Sequence, residues 1–96
     1  MSSVFEWDIE KSNYNLIKHG ISFEEAKSVF KDDYGYLFSD DIHSNFEERY
    51  ILIGYSKNNR LLFVSYTERN DIFRIISARK ATKNERLYYE KINKNN

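Results

Sequence analysis

Cysteine is absent from this 96-residue chain, so neither a disulfide nor a thiolate zinc site can supplement its core. That suits a reducing compartment. Histidine occurs only at His19 and His43, far apart, and no carboxylate motif has ligand spacing. Nothing therefore resembles a metal cluster, and no cofactor is expected. No apolar run approaches a membrane span, and the N-terminus lacks the basic-then-apolar pattern of a secretion signal. The expectation is a soluble, cytoplasmic protein without membrane association. Repeats, low-complexity segments and shifts in composition are missing too, so residues 1–96 read as a single domain. A core this small leaves a narrow stability margin.

An excess of one charge sign is also lacking, with 15 Lys/Arg against 15 Asp/Glu. The distribution is uneven. Met1 to Ser56 carries five Lys/Arg against eleven Asp/Glu, and Lys57 to Asn96 carries ten against four. Such a chain builds one basic and one acidic surface, unless folding intermixes the halves.

Taken in order, Ser3 to Trp7 favours a strand. Asp8 is suited to cap a helix running to about His19, with Ile9, Leu16 and Ile17 on one face and Gly20 as its stop. Ser22 and Glu25 have the spacing of a capping box for a second helix, whose Phe23, Ala26 and Phe30 share a face. Tyr34 to Phe38 reads as a strand, and Ser39 to Glu48 as a polar loop holding His43. Three further strands follow at Tyr50 to Ser56, Leu61 to Thr67 and Ile72 to Arg79, joined by Lys57–Arg60 and Asn70-Asp71 turns. The second turn lacks the glycine of the strongest hairpin signal. Thr82 and Glu85 cap a C-terminal helix through about Ile92, and capping alone accounts for both. The tail from Asn93 to Asn96 is expected to fray. This order predicts an α+β fold with helices over one face of an antiparallel sheet and the other face partly open.

The stretch from Thr67 to Arg86 stands out. Arg69, Arg74, Arg79, Lys80 and Lys83 punctuate an otherwise apolar strand and the start of a helix. Guanidinium groups offer paired planar donors to phosphate and stay charged at any working pH. Strict alternation sends Arg74 and Arg79 to opposite faces, unless a bulge re-aims one.

Trp7-Asp8, Lys18-His19-Gly20-Ile21-Ser22-Phe23-Glu24-Glu25-Ala26, Asp40-x-x-His43 and Glu48-Arg49 occur in that order. Thr67-Glu68-Arg69 and Arg74-Ile75-Ile76-Ser77-Ala78-Arg79-Lys80-Ala81-Thr82 with Glu85-Arg86 complete the set. In these residues the chain resembles the BrnT toxin family across nearly its whole length. The resemblance implies a type II toxin with a RelE-like fold, acting as a ribonuclease that blocks translation. It further implies a BrnA-like antitoxin, with operator DNA contacted only through the toxin–antitoxin complex. Many members carry His before Thr-Glu-Arg, where this chain has Tyr66.

RNA cleavage without a metal needs a base for the ribose 2′-hydroxyl, cations for the developing phosphorane charge and an acid for the leaving oxygen. The candidates are Arg69, Arg74, Arg79 and Lys80 as cations, with Tyr66, Glu68 and His43 for proton transfer. Lys83, Arg86 and Tyr88 are candidates for holding the RNA strand. Each has a plainer reading: arginines paired with Glu48, Glu68 or Glu85, an ordinary loop histidine, and tyrosines that fill a core. The competing function is a non-catalytic module whose basic sheet face binds a partner or nucleic acid.

Overall fold

The computed structural model describes residues 4–44 and 46–94. In chain order, strand β1 (Val4–Glu6) leads into helix α1 (Ile9–His19), helix α2 (Phe23–Ser28) and a 3-10 turn (Val29–Lys31). Strand β2 (Tyr36–Ser39) and a second 3-10 turn (Asp41–His43) precede β3 (Arg49–Tyr55), β4 (Leu61–Arg69), β5 (Ile72–Lys80) and helix α3 (Lys83–Asn93). Ser3, Asn95 and Asn96, which belong to the expected first strand and tail, lie outside the described residues. No helix among the described residues is long and apolar enough to cross a membrane.

Local chemistry explains the helix ends. Asp8 accepts from the Glu10 and Lys11 amides at 2.8 and 3.1 Å, and Gly20 closes α1 with φ 72°, the left-handed region glycine tolerates. Thr82 and Glu85 make the reciprocal capping box of α3. Only half of the box expected at Ser22 and Glu25 forms. Ser22 accepts from the Glu25 amide, but the Glu25 carboxylate turns inward to Arg60 and Ser56. The Asn70-Asp71 turn has both residues at positive φ, 53° and 66°, so the two side chains that best tolerate that region replace glycine.

The sheet order is β1-β5-β4-β3-β2, antiparallel except that β1 runs parallel to β5. One face is covered by α1, α2 and the first 3-10 turn. Phe23, Ala26 and Val29 pack there on Leu52, Leu62, Val64, Tyr66, Ile75 and Ala78, and the rings of Phe5, Phe30, Tyr66 and Phe73 lie 4.9–5.5 Å apart. On the other face α3 sets Tyr89 against Ile51, Ile53 and Leu61. It covers only the end of the sheet nearest β2 and β3. The Tyr89 hydroxyl donates to Asp32 at 2.8 Å, and Asp32 also accepts the Tyr55 amide.

Ile9, Leu16 and Ile17 share a face as their spacing requires, but it is the solvent face of α1. The buried side is polar. Past Arg74, β1 no longer pairs with β5, and Asn15 of α1 takes over. Its side-chain amide donates to the Ala78 carbonyl at 2.8 Å and accepts from the Ala78 amide at 3.2 Å, as a neighbouring strand would. It also donates to the Ile21 carbonyl at 2.8 Å. Asn15→Ala strands those backbone groups and is expected to cost about 2–4 kcal/mol, measured as a lowered urea midpoint with an unchanged slope.

Candidate functional site

The second face, open beyond the residues that α3 covers, is an ordered lattice. Pairing across β3, β4 and β5 aligns Arg49, Thr67 and Arg74 in one row. Ile51, Ser65 and Ser77 form the next row, and Ile53, Phe63 and Arg79 the third. Arg74 and Arg79 are five positions apart, an odd number, and regular alternation would separate them. The register of β5 on β4 slips between Ser65 and Tyr66, whose partners are Ser77 and Ile75. Ile76 is thus the extra residue of a β-bulge. The bulge absorbs one position and brings both arginines to the same face.

The loop after β2 completes the wall. The Asp40 amide donates to the Arg49 carbonyl at 2.8 Å, while Ser44 donates to the Asp40 carbonyl and accepts from the Arg49 amide. These bonds hold the turn carrying His43 above the lattice. His43 Nδ1 lies 2.9 Å from Asp40 Oδ2. An ionised carboxylate can only accept, so Nδ1 carries the proton and Nε2 is the ring nitrogen left for other chemistry.

The basic residues differ in how they are held. Arg79 lies over the Phe63 ring at 3.8 Å and makes a two-point pair with Glu85 at 2.8 and 2.9 Å. Its Nη1 also donates to the Lys80 carbonyl at 3.1 Å. Among the described residues three of its five N–H donors are thereby engaged, and the Nε and one Nη2 donor are left side by side. The Arg79 hydrogen bonds hold the Glu85 carboxyl below the usual carboxylate range, against the opposing effect of burial. Arg74 pairs with Glu6 at 2.7 Å, and Arg69 with Glu47 at 2.6 Å at the exposed rim. Arg49 is half-buried, and its guanidinium meets no carboxylate among the described residues.

These side chains enclose a groove of two chambers that share His43 and Arg49. One is lined by Lys11, Thr67, Arg74 and Ile76, among others, and is the more polar. The other has Phe38, Ile51, Phe63, Ser65, Ser77 and Arg79 around it, with Asp40 at its edge. A cationic groove with one oriented imidazole can hold a phosphodiester and transfer protons at it.

The family model described as the ribonuclease toxin BrnT of a type II toxin-antitoxin system matches residues 7–85. This chain belongs to the BrnT family. It is a ribonuclease toxin of a type II toxin–antitoxin system, a class that acts on RNA and has an antitoxin partner. Its fold is similar to the crystal structure of the Brucella abortus ribonuclease toxin BrnT, with a TM-score of 0.67 at 20% identity over 85% of this chain and 100% of that one. No curated protein matches the chain.

Within this BrnT-family fold the sequence-predicted residues divide between the two faces. His43, Arg74 and Arg79 meet in the groove, and Arg69 lies on its rim. Tyr66, Glu68 and Lys80 do not reach it. Period-two alternation puts Tyr66 and Glu68 on the helix-covered face, and the bulge sends Lys80 there with Ala78. Tyr66 is 5% exposed among Phe30, Phe73 and Tyr50, and burial pushes its hydroxyl pKa up to about 12. It therefore lies apart from the groove that holds His43, Arg74 and Arg79. Lys83 is exposed on the first turn of α3. Arg86 donates to the Tyr55 hydroxyl at 3.2 Å, and the Tyr88 and Tyr36 hydroxyls are 3.3 Å apart at an apolar notch that also includes Phe38.

Arg49, Lys11 and Asp40 were not singled out as site residues. The first had a readable signal, because Arg49, Ile51 and Ile53 alternate on one face of β3 directly after the Asp-x-x-His loop. Glu85 both caps α3 and orients Arg79. The plainer reading of arginines paired with Glu48, Glu68 or Glu85 holds for Arg79 with Glu85, while Arg69 and Arg74 pair with Glu47 and Glu6 instead.

Proposed function

We propose that this toxin is a metal-independent endoribonuclease whose site is the groove of Arg49, Arg74, Arg79 and His43. The observation that carries this reading is the bulge at Ile76, which sets Arg74 and Arg79 on the one face that His43 overlooks. His43 Nε2 takes the proton of the ribose 2′-hydroxyl, whose oxygen bonds to phosphorus as the P–O5′ bond breaks and a water molecule protonates the departing 5′ oxygen. Asp40 fixes the tautomer and stabilises the imidazolium that forms. The arginines hold the non-bridging oxygens as negative charge develops on them. The free side-by-side donors of Arg79 suit two such oxygens. Lys83, Arg86 and Tyr88 guide the strand beyond the groove. The same basic groove is the surface a BrnA-like antitoxin covers to neutralise the toxin, and operator DNA is reached through that complex in the cytoplasm.

Cleavage of single-stranded RNA is expected to persist in excess EDTA. His43→Gln, which keeps a polar side chain but not the titrating nitrogen, is expected to slow it by roughly 100-fold or more. Wild-type cleavage abolished by chelation and restored by a divalent cation would overturn metal independence. A His43→Gln enzyme with wild-type rates would remove His43 from the chemistry.

A further inference from the structure

The second chamber holds polar groups that phosphate binding does not use. Ser65 is 7% exposed, yet its hydroxyl bonds no described residue. Ser77 stands directly opposite on β5 and its hydroxyl is likewise unengaged among the described residues. Ser77 is half-buried and neither hydroxyl is sealed from solvent, so a ligand group that replaces water in the chamber can bond both. Both line the chamber, so their bonding capacity is directed into it. Phe38 and Phe63 flank the pair, with ring centroids 6.4 Å apart and edge-on to one another. One face of Phe63 is taken by Arg79, and Phe38, which has Tyr36 against it at 5.4 Å beside the α3 notch, presents the rest of its ring to the chamber as an apolar wall.

We propose that this chamber is a nucleobase subsite, in which one base beside the scissile phosphate stacks on Phe38 while Ser65 and Ser77 hydrogen-bond its polar edge. The inference rests on the ribonuclease reading of the groove and adds the part of the substrate that the second chamber takes. An aromatic wall with hydroxyls at its foot matches a base, which has an apolar face and a polar rim. The cations follow from the same fit. Arg49 and His43 are shared with the polar chamber, so a base seated in one chamber places its own phosphate at the boundary of the two. Each hydroxyl can donate or accept, and their fixed positions across paired strands favour base edges whose polar atoms match that spacing.

The test uses the purified toxin and RNA oligonucleotides randomised around a single cleavage site. A second set carries an abasic nucleotide immediately 5′ or 3′ of the cut. Wild-type toxin is expected to prefer some bases at one flanking position, and to lose about tenfold in rate when that base is removed. In Phe38→Leu the base-containing and abasic substrates should be cleaved at nearly equal rates. In the Ser65→Ala/Ser77→Ala double variant the preference among the four bases should shrink toward equality. These serine changes delete only oxygens, and circular dichroism checks that the fold is kept.

A wild type with no preference at either position would overturn the proposal. So would an abasic penalty that is the same in wild type and Phe38→Leu, as a ribose hydroxyl in the chamber would give. Arg79→Ala separates the two levels. If it cleaves like wild type, the groove is not the active site. If it is inactive while the serine variants keep the wild-type preference, the base subsite alone fails.

Discussion

Arg79→Ala is expected to lower RNA cleavage by roughly 100- to 1,000-fold, the loss typical when one donor to a developing oxyanion is removed. The geometry makes Arg79 the most strongly preorganised cation of the groove. The Phe63 ring supports it from beneath, Glu85 takes two donors from the side, and the Lys80 carbonyl takes a third. Its remaining donors are held in place before substrate arrives, so little ordering is left to be done in the transition state. Arg79→Lys keeps the charge but loses the two-point geometry, and should recover only a small part of the rate. Arg69→Ala should cost much less, because that side chain is 73% exposed on the rim and already paired with Glu47. Single-turnover cleavage at saturating RNA measures all three. The loss in Arg79→Ala should appear in the rate of the chemical step, with urea stability changed by no more than about 1 kcal/mol, since its partner Glu85 is partly exposed and still capped at Thr82. A full-rate Arg79→Ala enzyme would remove the groove from the mechanism.

The largest effect on stability is expected from Arg60→Ala, at about 3 kcal/mol or more at neutral pH. Glu25 is only 3% exposed, and its carboxylate is bound by the Arg60 guanidinium and by the Ser56 hydroxyl at 2.7 Å. Arg60 also donates to the Gly20 carbonyl at 3.1 Å, tying the α1–α2 corner to the β3–β4 turn. Removing the arginine leaves a buried charge without its counter-ion, which costs more than the pair itself contributes. The Arg60 hydrogen bond, ahead of the opposing effect of desolvation, lowers the Glu25 pKa below its ordinary 4.5. A lowered folded-state value means that the Glu25 contribution is fully present above the ordinary carboxylate range and is lost as pH falls through the folded value. In Arg60→Ala the largest lowering influence is gone and desolvation is opposed by the weaker Ser56 and Asn58 hydrogen bonds, so protonation relieves the buried charge more readily. The gap in urea stability between wild type and variant should therefore narrow as pH drops from 7 to about 4. A gap that stays constant with pH would show that Glu25 is not its source.

The ion pairs also settle what the uneven charge along the chain becomes. Arg60, Arg69 and Arg74, from the basic half, pair with Glu25, Glu47 and Glu6 from the acidic half. Folding intermixes the halves at these points, and the basic character of the groove rests on where individual cations sit rather than on the excess in residues 57–96.

Secondary structure was largely legible, because its determinants are short-range. Asp8, Gly20, Ser22, Thr82 and the Asn70-Asp71 pair act on their own or adjacent turns, and the helices and strands follow closely where those residues lead. The α+β architecture and the BrnT motifs could be read for the same reason. The candidate groove was half legible. Arg74, Arg79 and His43 were named from their chemistry, but the face each occupies depends on pairing between strands. Ile76 looks like any other strand residue, and only its missing partner on β4 reveals that it is extra. That single extra residue carries Arg74 and Arg79 to one face and Lys80 to the other. Tyr66 shows the same limit from the opposite side. Its neighbours along the chain are polar, while the Phe30 and Phe73 rings that bury it come from positions 36 residues before and 7 residues after. By itself the sequence determined the elements, the fold class and the family. Tertiary structure decided which cations converge and which carboxylates hold them, because those are properties of register and packing between segments distant in the chain.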